Sequence, residues 1–400
     1  MDIEPLSARD RTRQEVLHAL REHVGASQAQ LMRLTGLSRS TISSIVAELK
    51  SAHLVVEGQA PSGNSRSRGG RPPAALQLRG ESGAAVGIDF GHTHVQVAVG
   101  DLQMNVLAQR FRDLAVDSAA GTAIEAAAEM VDEVLADAQV DRADVIGVGI
   151  GVPGPVDRAR GLVGSATILP GWVGVRVAHE MQKQLELPVE IDNDANLGAL
   201  AELSVGAAQG VQNVVYVKAS SGVGAGLIIG GRLHRGASGT AGEIGHTTID
   251  ENGALCHCGN RGCLETVASA DAIIRLVRQG RGDLSFTRIL ALAREGDPVC
   301  RRAVSDASRQ IGIAVAGLCN ILNPEMVVIG GLLSRAGDVV LEQVREAVLR
   351  CAVSAAADRV QVVPAVLGDR AELIGALALV VRGPNPVFAA RFLAPARGGA

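Results

Sequence analysis

Gly242-Glu243-Ile244-Gly245-His246, followed after a short gap by Cys256-His257-Cys258-Gly259-Asn260-Arg261-Gly262-Cys263-Leu264-Glu265, is the stretch from which the rest of this chain is read. Cys256, Cys258 and Cys263, with Gly259 and Gly262 letting the backbone fold tightly between them, make a thiolate knuckle. A closed tetrahedral zinc site takes four ligands, and His246 is the natural fourth. His257 is the alternative, less favoured because it follows Cys256 directly. A disulfide ranks below zinc, since two of the cysteines are one residue apart and the chain reads as cytosolic. Zinc with no open position is structural, so the metal is expected to fix a loop. Glu243 and Glu265 bracket that loop, which presents polar groups to a polyhydroxylated ligand. The remaining cysteines, Cys300, Cys319 and Cys351, lie in apolar helical patterns and read as small buried hydrophobes.

Four hundred residues imply two or three domains, and 47% apolar residues with 48 glycines imply an α/β protein rich in tight turns. The longest apolar run, Leu373 to Val381, is too short to span a bilayer, and the N-terminus lacks a secretory pattern, so a cytoplasmic protein without membrane association is expected. The net charge of −4 is unevenly spread: residues 1–80 hold 11 basic and 7 acidic residues, while the remainder holds 27 and 35. A basic head on an acidic body is expected to bring only the head to a polyanion.

From Thr12 to Val56 the periodicity predicts three short helices and a strand. Val16, Leu17, Leu20 and Val24 form one face. Ser27 caps a second helix with Leu31 and Leu34 inside, and Gly36 makes a sharp turn. Ser38 then caps a third helix with Ile42, Ile45, Val46 and Leu49 buried. That is a winged helix-turn-helix, over residues 1–60. Ser38, Arg39, Ser40, Thr41, Ser43 and Ser44 offer short donors and one arginine to a major groove. A protein-binding three-helix bundle is the competing use. Residues 61–80 form a basic Gly/Pro/Arg linker, whose Arg66, Arg68 and Arg71 also suit a narrow minor groove.

Residues 81–383 form the body, with 384–400 a tail. Ala84 to Asp89 reads as a strand, Phe90-Gly91-His92-Thr93-His94 as a turn, and Val95, Val97 and Val99 as a returning strand. Asp194, beyond the strand that ends at Asn193, is read locally as a helix cap or as a general base. Ser221, Gly222 and Gly224 form a glycine-spaced hairpin suited to a phosphate, and Gly330-Gly331 opens a turn at a strand's carboxyl end, where nucleotides sit in α/β folds. A duplicated order of three strands and a helix, from Ala84 and from Asn213, predicts two similar lobes around a cleft.

Gly239 to Glu265 resembles the zinc signature of the ROK family of repressors, open reading frames and sugar kinases. Val152-Pro153-Gly154-Pro155, Leu169-Pro170-Gly171-Trp172, Asn193-Asp194-Ala195-Asn196 and Asn323-Pro324-Glu325 resemble it too, across about Ala84 to Val381. The resemblance implies an actin-like, hexokinase-type (ribonuclease-H-like) two-lobed ATPase fold behind the winged head, as in the family's repressor branch. It implies that His246, Cys256, Cys258 and Cys263 bind zinc, and that Asn193, Asp194, Glu243, His246 and Glu265 contact sugar hydroxyls. Asp194 would be the base in any phosphoryl transfer. Asp89, Gly91 and Thr93 would form the first phosphate motif, and Ser221 to Gly224 the second.

Family kinases usually read Asp-x-Gly-Gly-Thr-Lys where this chain has Asp89-Phe90-Gly91-His92-Thr93-His94. His92 is expected to crowd the phosphate, and His94 replaces a lysine. Ile168 stands where the kinases carry an asparagine. The expectation is a cytoplasmic, sugar-responsive DNA-binding regulator, a repressor of carbohydrate genes. Operator DNA and a sugar or sugar phosphate would be its partners, and it would form a homodimer or homotetramer. The alternative is a sugar kinase using ATP and Mg²⁺, with Asp194 as base.

Overall fold

A computed structural model describes residues 8–22, 25–52, 54–58, 75–157, 160–163 and 169–383. The head forms the three expected helices, Ala8–Glu22, Gln28–Thr35 and Arg39–Ser51. Local sequence sets the boundaries. Ser27 and Gln30 form a capping box, Gly36 leaves the second helix in the left-handed region at φ 70°, and Ser38 Oγ accepts from Thr41 N. Val16, Leu17, Leu20, Leu31, Ile42, Ile45, Val46 and Leu49 are buried. Leu34, expected inside, is 48% exposed, because the second helix ends at Thr35 and its last turn runs past the core. Val24 lies outside the described residues.

The wing differs from expectation. Val55–Gly58 pairs antiparallel with Ala75–Leu78, Val55 opposite Leu78 and Gly58 opposite Ala75. Its second strand therefore falls inside the span assigned to the linker. A four-residue strand behind a Gly/Pro/Arg run gives too little periodicity to register, but burial of Ala75, Leu76 and Leu78 fixes it. The intervening linker, with Arg66, Arg68 and Arg71, lies outside the described residues, as does the tail from residue 384. The wing strand leads through a short turn at Gly80–Ser82 into Ala84–Phe90. There Gln103 Nε2 donates to Leu78 O (3.1 Å) and Leu102 N to Gly80 O (3.3 Å).

The body contains two five-stranded sheets of one topology. In the first, the order runs Val106–Asp113, His94–Asp101, Ala84–Phe90, Val145–Val152, Val189–Asn193. In the second it runs Arg232–His234, Val223–Ile229, Val214–Ala219, Met326–Gly330, Gln361–Pro364. Each has an antiparallel meander of three strands, then a parallel neighbour reached by a crossover. This is the repeat the strand pattern implied. By contacts the chain forms two compact units. One is Met1–Gly151 with Arg176–Ile191 and Ala376–Ala400; the other is Val152–Val175 with Asp192–Gly375.

The second unit packs its sheet on the helix Pro298–Leu322, where Val304, Ile311 and Val315 are fully buried. Asp297 caps this helix by accepting from Val299 N and Cys300 N, with Pro298 in the first turn. Asn323 ends it at φ 46° ahead of Pro324. Cys300 and Cys319 are buried as expected, but Cys351 is exposed at the end of its helix. No described helix is long and apolar enough to cross a membrane.

Candidate sugar and metal site

The knuckle closes as its glycines require. Gly262 stands at φ 63°, and a Cβ there would lie 1.5 Å from Asp250 O, so no other residue fits. Cys256 N donates to Asn260 O (2.8 Å) and Gly262 N to Ala254 O (2.8 Å). His246 Nδ1 is 3.7 Å from Cys256 Sγ, and Cys258 Sγ is 3.7 Å from Cys263 Sγ. Ligand atoms of all four residues lie within 4.8 Å of one another. Around a tetrahedral ion bound at about 2.3 Å, thiolate sulfurs stand about 3.8 Å apart, so the set fits a metal. Burial holds the His246 imidazole below its ordinary pKa, in the neutral form that ligates.

His257 also lies close enough to form a second potential set with His246, Cys256 and Glu265. Its Nε2, however, is 2.6 Å from Glu265 Oε1. Glu265 Oε2 accepts from Val223 N at 3.0 Å. His257 is thus engaged in orienting a carboxylate, which leaves the sulfur-rich set the better metal site.

All five residues expected to touch sugar belong to the second unit. Asn193 caps the helix Asp194–Val205, its Oδ1 accepting from Ala195 N and Asn196 N while Nδ2 donates to Gly154 O (2.9 Å). The capping role therefore falls to Asn193, and Asp194 is the first helical residue. Asp194 Oδ1 accepts from Ala195 N (2.7 Å). Its Oδ2 lies 2.7 Å from Lys218 Nζ, and the same ammonium is 3.3 Å from Glu372 Oε1. Glu243 takes no side-chain partner among the described residues. Burial first, then the charges of Asp194 and Glu265, push its carboxyl up to about 7. The three carboxylates thus share one neighbourhood.

Sequence reasoning missed three members of this neighbourhood. Lys218 lies next to last in a strand of otherwise buried residues, and a lysine in that setting was the available signal. Arg235 Nε donates to the buried Asp192 (2.6 Å), whose other oxygen accepts from Asn196 Nδ2 (2.9 Å) and Asn193 N (2.9 Å). That network joins the start of the Glu243 loop to the strand–helix junction. Nothing local in the sequence pairs residues so far apart.

The first phosphate turn is filled. A Cβ on Gly91 would lie 2.2 Å from His94 Cε1, so the His94 ring covers the backbone that a phosphate would approach. His94 Nε2 is 3.4 Å from Asp89 Oδ2, and the ring stacks on Phe111 with centroids 5.3 Å apart. His92, expected to be the obstruction, turns away, its Nδ1 2.9 Å from Asp117 Oδ1. The crowding residue is His94. Thr93 lies exposed in the same turn, its carbonyl accepting from Leu114 N.

In the second turn Ser221 is exposed, and Gly222 faces Glu265, whose Oε2 would lie 2.6 Å from a Cβ there. Gly224 passes Ala195. Gly330 and Gly331 admit Tyr216 and the Ala219 backbone, so close packing accounts for both glycines. In the head, Arg39, Ser40, Ser43 and Ser44 are exposed on the third helix, with Thr41 half-buried. Ser38 is spent on the cap. Ile168 lies outside the described residues.

Residues 85–382 match the ROK family. The chain belongs to the ROK family. Residues 9–56 match a winged helix-turn-helix DNA-binding family. The chain is 34% identical over 380 residues to a xylose repressor from Caldicellulosiruptor bescii, covering 92% of this chain and 94% of that one. Its fold is similar to a ROK family transcriptional regulator described as a homolog of the E. coli MLC protein. There the TM-score is 0.76 at 28% identity, over 96% of this chain and 98% of that one. It is also similar to a ROK family glucokinase from Streptomyces griseus solved with glucose and AMPPNP. That match has a TM-score of 0.67 at 31% identity, over 75% of this chain and 100% of the other. The kinase therefore matches most of this ROK chain, and the regulator nearly all of it.

Proposed function

We propose that the protein is a sugar-responsive DNA-binding transcriptional repressor of carbohydrate-metabolism genes, its sensing body of kinase descent. What carries this reading is the exposed polar start of the helix Arg39–Ser51, in a winged head joined to a ROK body. His246, Cys256, Cys258 and Cys263 would hold a structural zinc that fixes the knuckle. His246 Nδ1 faces the thiolates, which leaves its other nitrogen for a ligand. Glu243, Glu265, Asp194 and the second amide hydrogen of Asn193 would meet sugar hydroxyls. Arg66, Arg68 and Arg71 would meet phosphates or a minor groove.

Two observations weigh against the kinase reading: His94 fills the turn expected to take phosphate, and Lys218 occupies an oxygen of the carboxylate expected to act as base. A sugar kinase, needing ATP and Mg²⁺ near Asp89, is what remains if coupled ADP release over a hexose and pentose panel gives turnover that Asp194→Asn abolishes. The chain would act in the cytoplasm as a homodimer or homotetramer, paired heads reading half-sites about one helical turn apart. Gel shift on the DNA upstream of its own gene, with D-xylose as the first effector because of the relative's name, is the test. Retardation that sugar alters supports the proposal, and no retardation at any low salt concentration removes it.

A further inference from the structure

Of 38 basic residues in this chain only three, Lys50, Lys183 and Lys218, are lysines. Lys50 pairs with Glu57 on the head, and Lys183 lies exposed on the helix Val177–Leu185. Lys218 is the one inside the body. It is the penultimate residue of the strand Val214–Ala219, is about one-fifth exposed, and lies between the carboxylates of Asp194 and Glu372, themselves 18% and 10% exposed.

The placement has chemical consequences. Asp194 takes one donor on each oxygen, Ala195 N on Oδ1 and Lys218 Nζ on Oδ2, both at 2.7 Å. Two directed donors fix the carboxylate's plane, which its own side-chain torsions would leave free. Around it stand Glu243 and Glu265, and the ammonium offsets the charges of Asp194 and Glu372 in this partly buried space. An arginine is the commonplace cation in this chain, but its planar fork needs more room than a point charge seated between two carboxylates.

We propose that Lys218 is a positioning residue of the sugar site: it holds the Asp194 carboxylate fixed as an acceptor for a ligand hydroxyl. This rests on the sugar-sensor reading for the ligand, while the clamp itself is a property of the protein alone. Carboxylates outnumber the cation here, so the ligand that fits is an uncharged polyol, and sugar phosphates and sugar acids are repelled.

Two measurements on the full-length, metal-loaded protein test it. The first is acetylation of the three lysines by limiting acetic anhydride, followed by mass spectrometry. Lys218 is expected to react at least about tenfold more slowly than Lys183, and Asp194→Asn to accelerate it severalfold. Equal rates for Lys218 and Lys183, or no change in Asp194→Asn, overturn the clamp whether or not any sugar binds. The second is calorimetry with D-xylose, D-glucose and their phosphates from pH 5.5 to 8.5. Lys218→Met is expected to lose at least about tenfold in affinity and to change its pH dependence, while Lys218→Arg recovers part of the loss. Unchanged affinity and pH profile in Lys218→Met, with metal content and circular dichroism as in the parent, overturn the positioning role. Tighter binding of a sugar phosphate than of its parent sugar overturns the ligand class. If the unaltered protein binds no sugar while the acetylation pattern holds, the sensor reading fails and the clamp stands.

Discussion

Arg235 Nε donates to Asp192 Oδ2 at 2.6 Å, and Asp192 is almost wholly buried, its side chain 3% exposed. The pair fastens the chain leading to Glu243 onto the junction that presents Asn193 and Asp194. Removing one partner strands the other's charge in a low-dielectric setting. Arg235→Leu is expected to cost about 3–5 kcal/mol of stability, and the Arg235→Leu, Asp192→Leu double variant to recover much of it. Urea unfolding of the three proteins reads this, and a single variant as stable as the parent refutes it.

Chelation of the metal should release close to one zinc per chain and loosen the knuckle, since the turn is then held by backbone bonds such as Cys256 N to Asn260 O. Sugar affinity is expected to fall with it, because Glu265 and its partner His257 flank or sit within the same turn. Cys258→Ser should do the same. Zinc is read by a colorimetric chelator and affinity by calorimetry; full sugar affinity in a zinc-free protein would contradict the coupling.

Glu243 gives stability a pH dependence. Its folded pKa of about 7 exceeds the ordinary 4.5, so between those values the native state keeps a proton the unfolded chain has lost. Stability therefore falls as pH rises through that window and is level above it. Glu243→Gln removes the penalty. Its gain over the parent should be absent near pH 4.5 and reach no more than about 3.5 kcal/mol at pH 8, each pKa unit being worth about 1.4 kcal/mol. Thermal melts at both pH values compare the two.

His94→Ala should uncover Gly91 and free Asp89 from its imidazole neighbour. Affinity for a fluorescent ATP analogue with Mg²⁺ is expected to rise at least about tenfold, or 1.4 kcal/mol. Because Phe111 is 58% exposed even with the ring stacked on it, the variant should fold. No gain in affinity would mean that something other than His94 excludes the nucleotide.

On the head, Arg39→Ala should cost about 1–3 kcal/mol on one operator and little on scrambled DNA. Ser38→Ala should instead weaken the fold by about 1 kcal/mol through loss of the cap. Changing Arg66, Arg68 and Arg71 together should lower binding to all sequences and flatten its salt dependence. Fluorescence anisotropy over a salt series separates these cases.

Where bonds are local, the residues themselves carried the outcome. Ser27, Gly36 and Ser38 set the helix ends of the head, Asp297 and Asn323 bounded the long helix, and the glycine spacing of 256–263 folded the knuckle. Each of these depends on groups a few residues apart, so periodicity and caps suffice. The second wing strand, the embrace of Asp194 by Lys218, and the Arg235–Asp192 pair join residues about 17 to 43 positions apart. The same is true of the choice between His92 and His94, which turned on where Phe111 and Asp117 stand. Chain order gives no energy for such contacts; they form when sheets and helices pack and a charge or a ring must find a neighbour out of water.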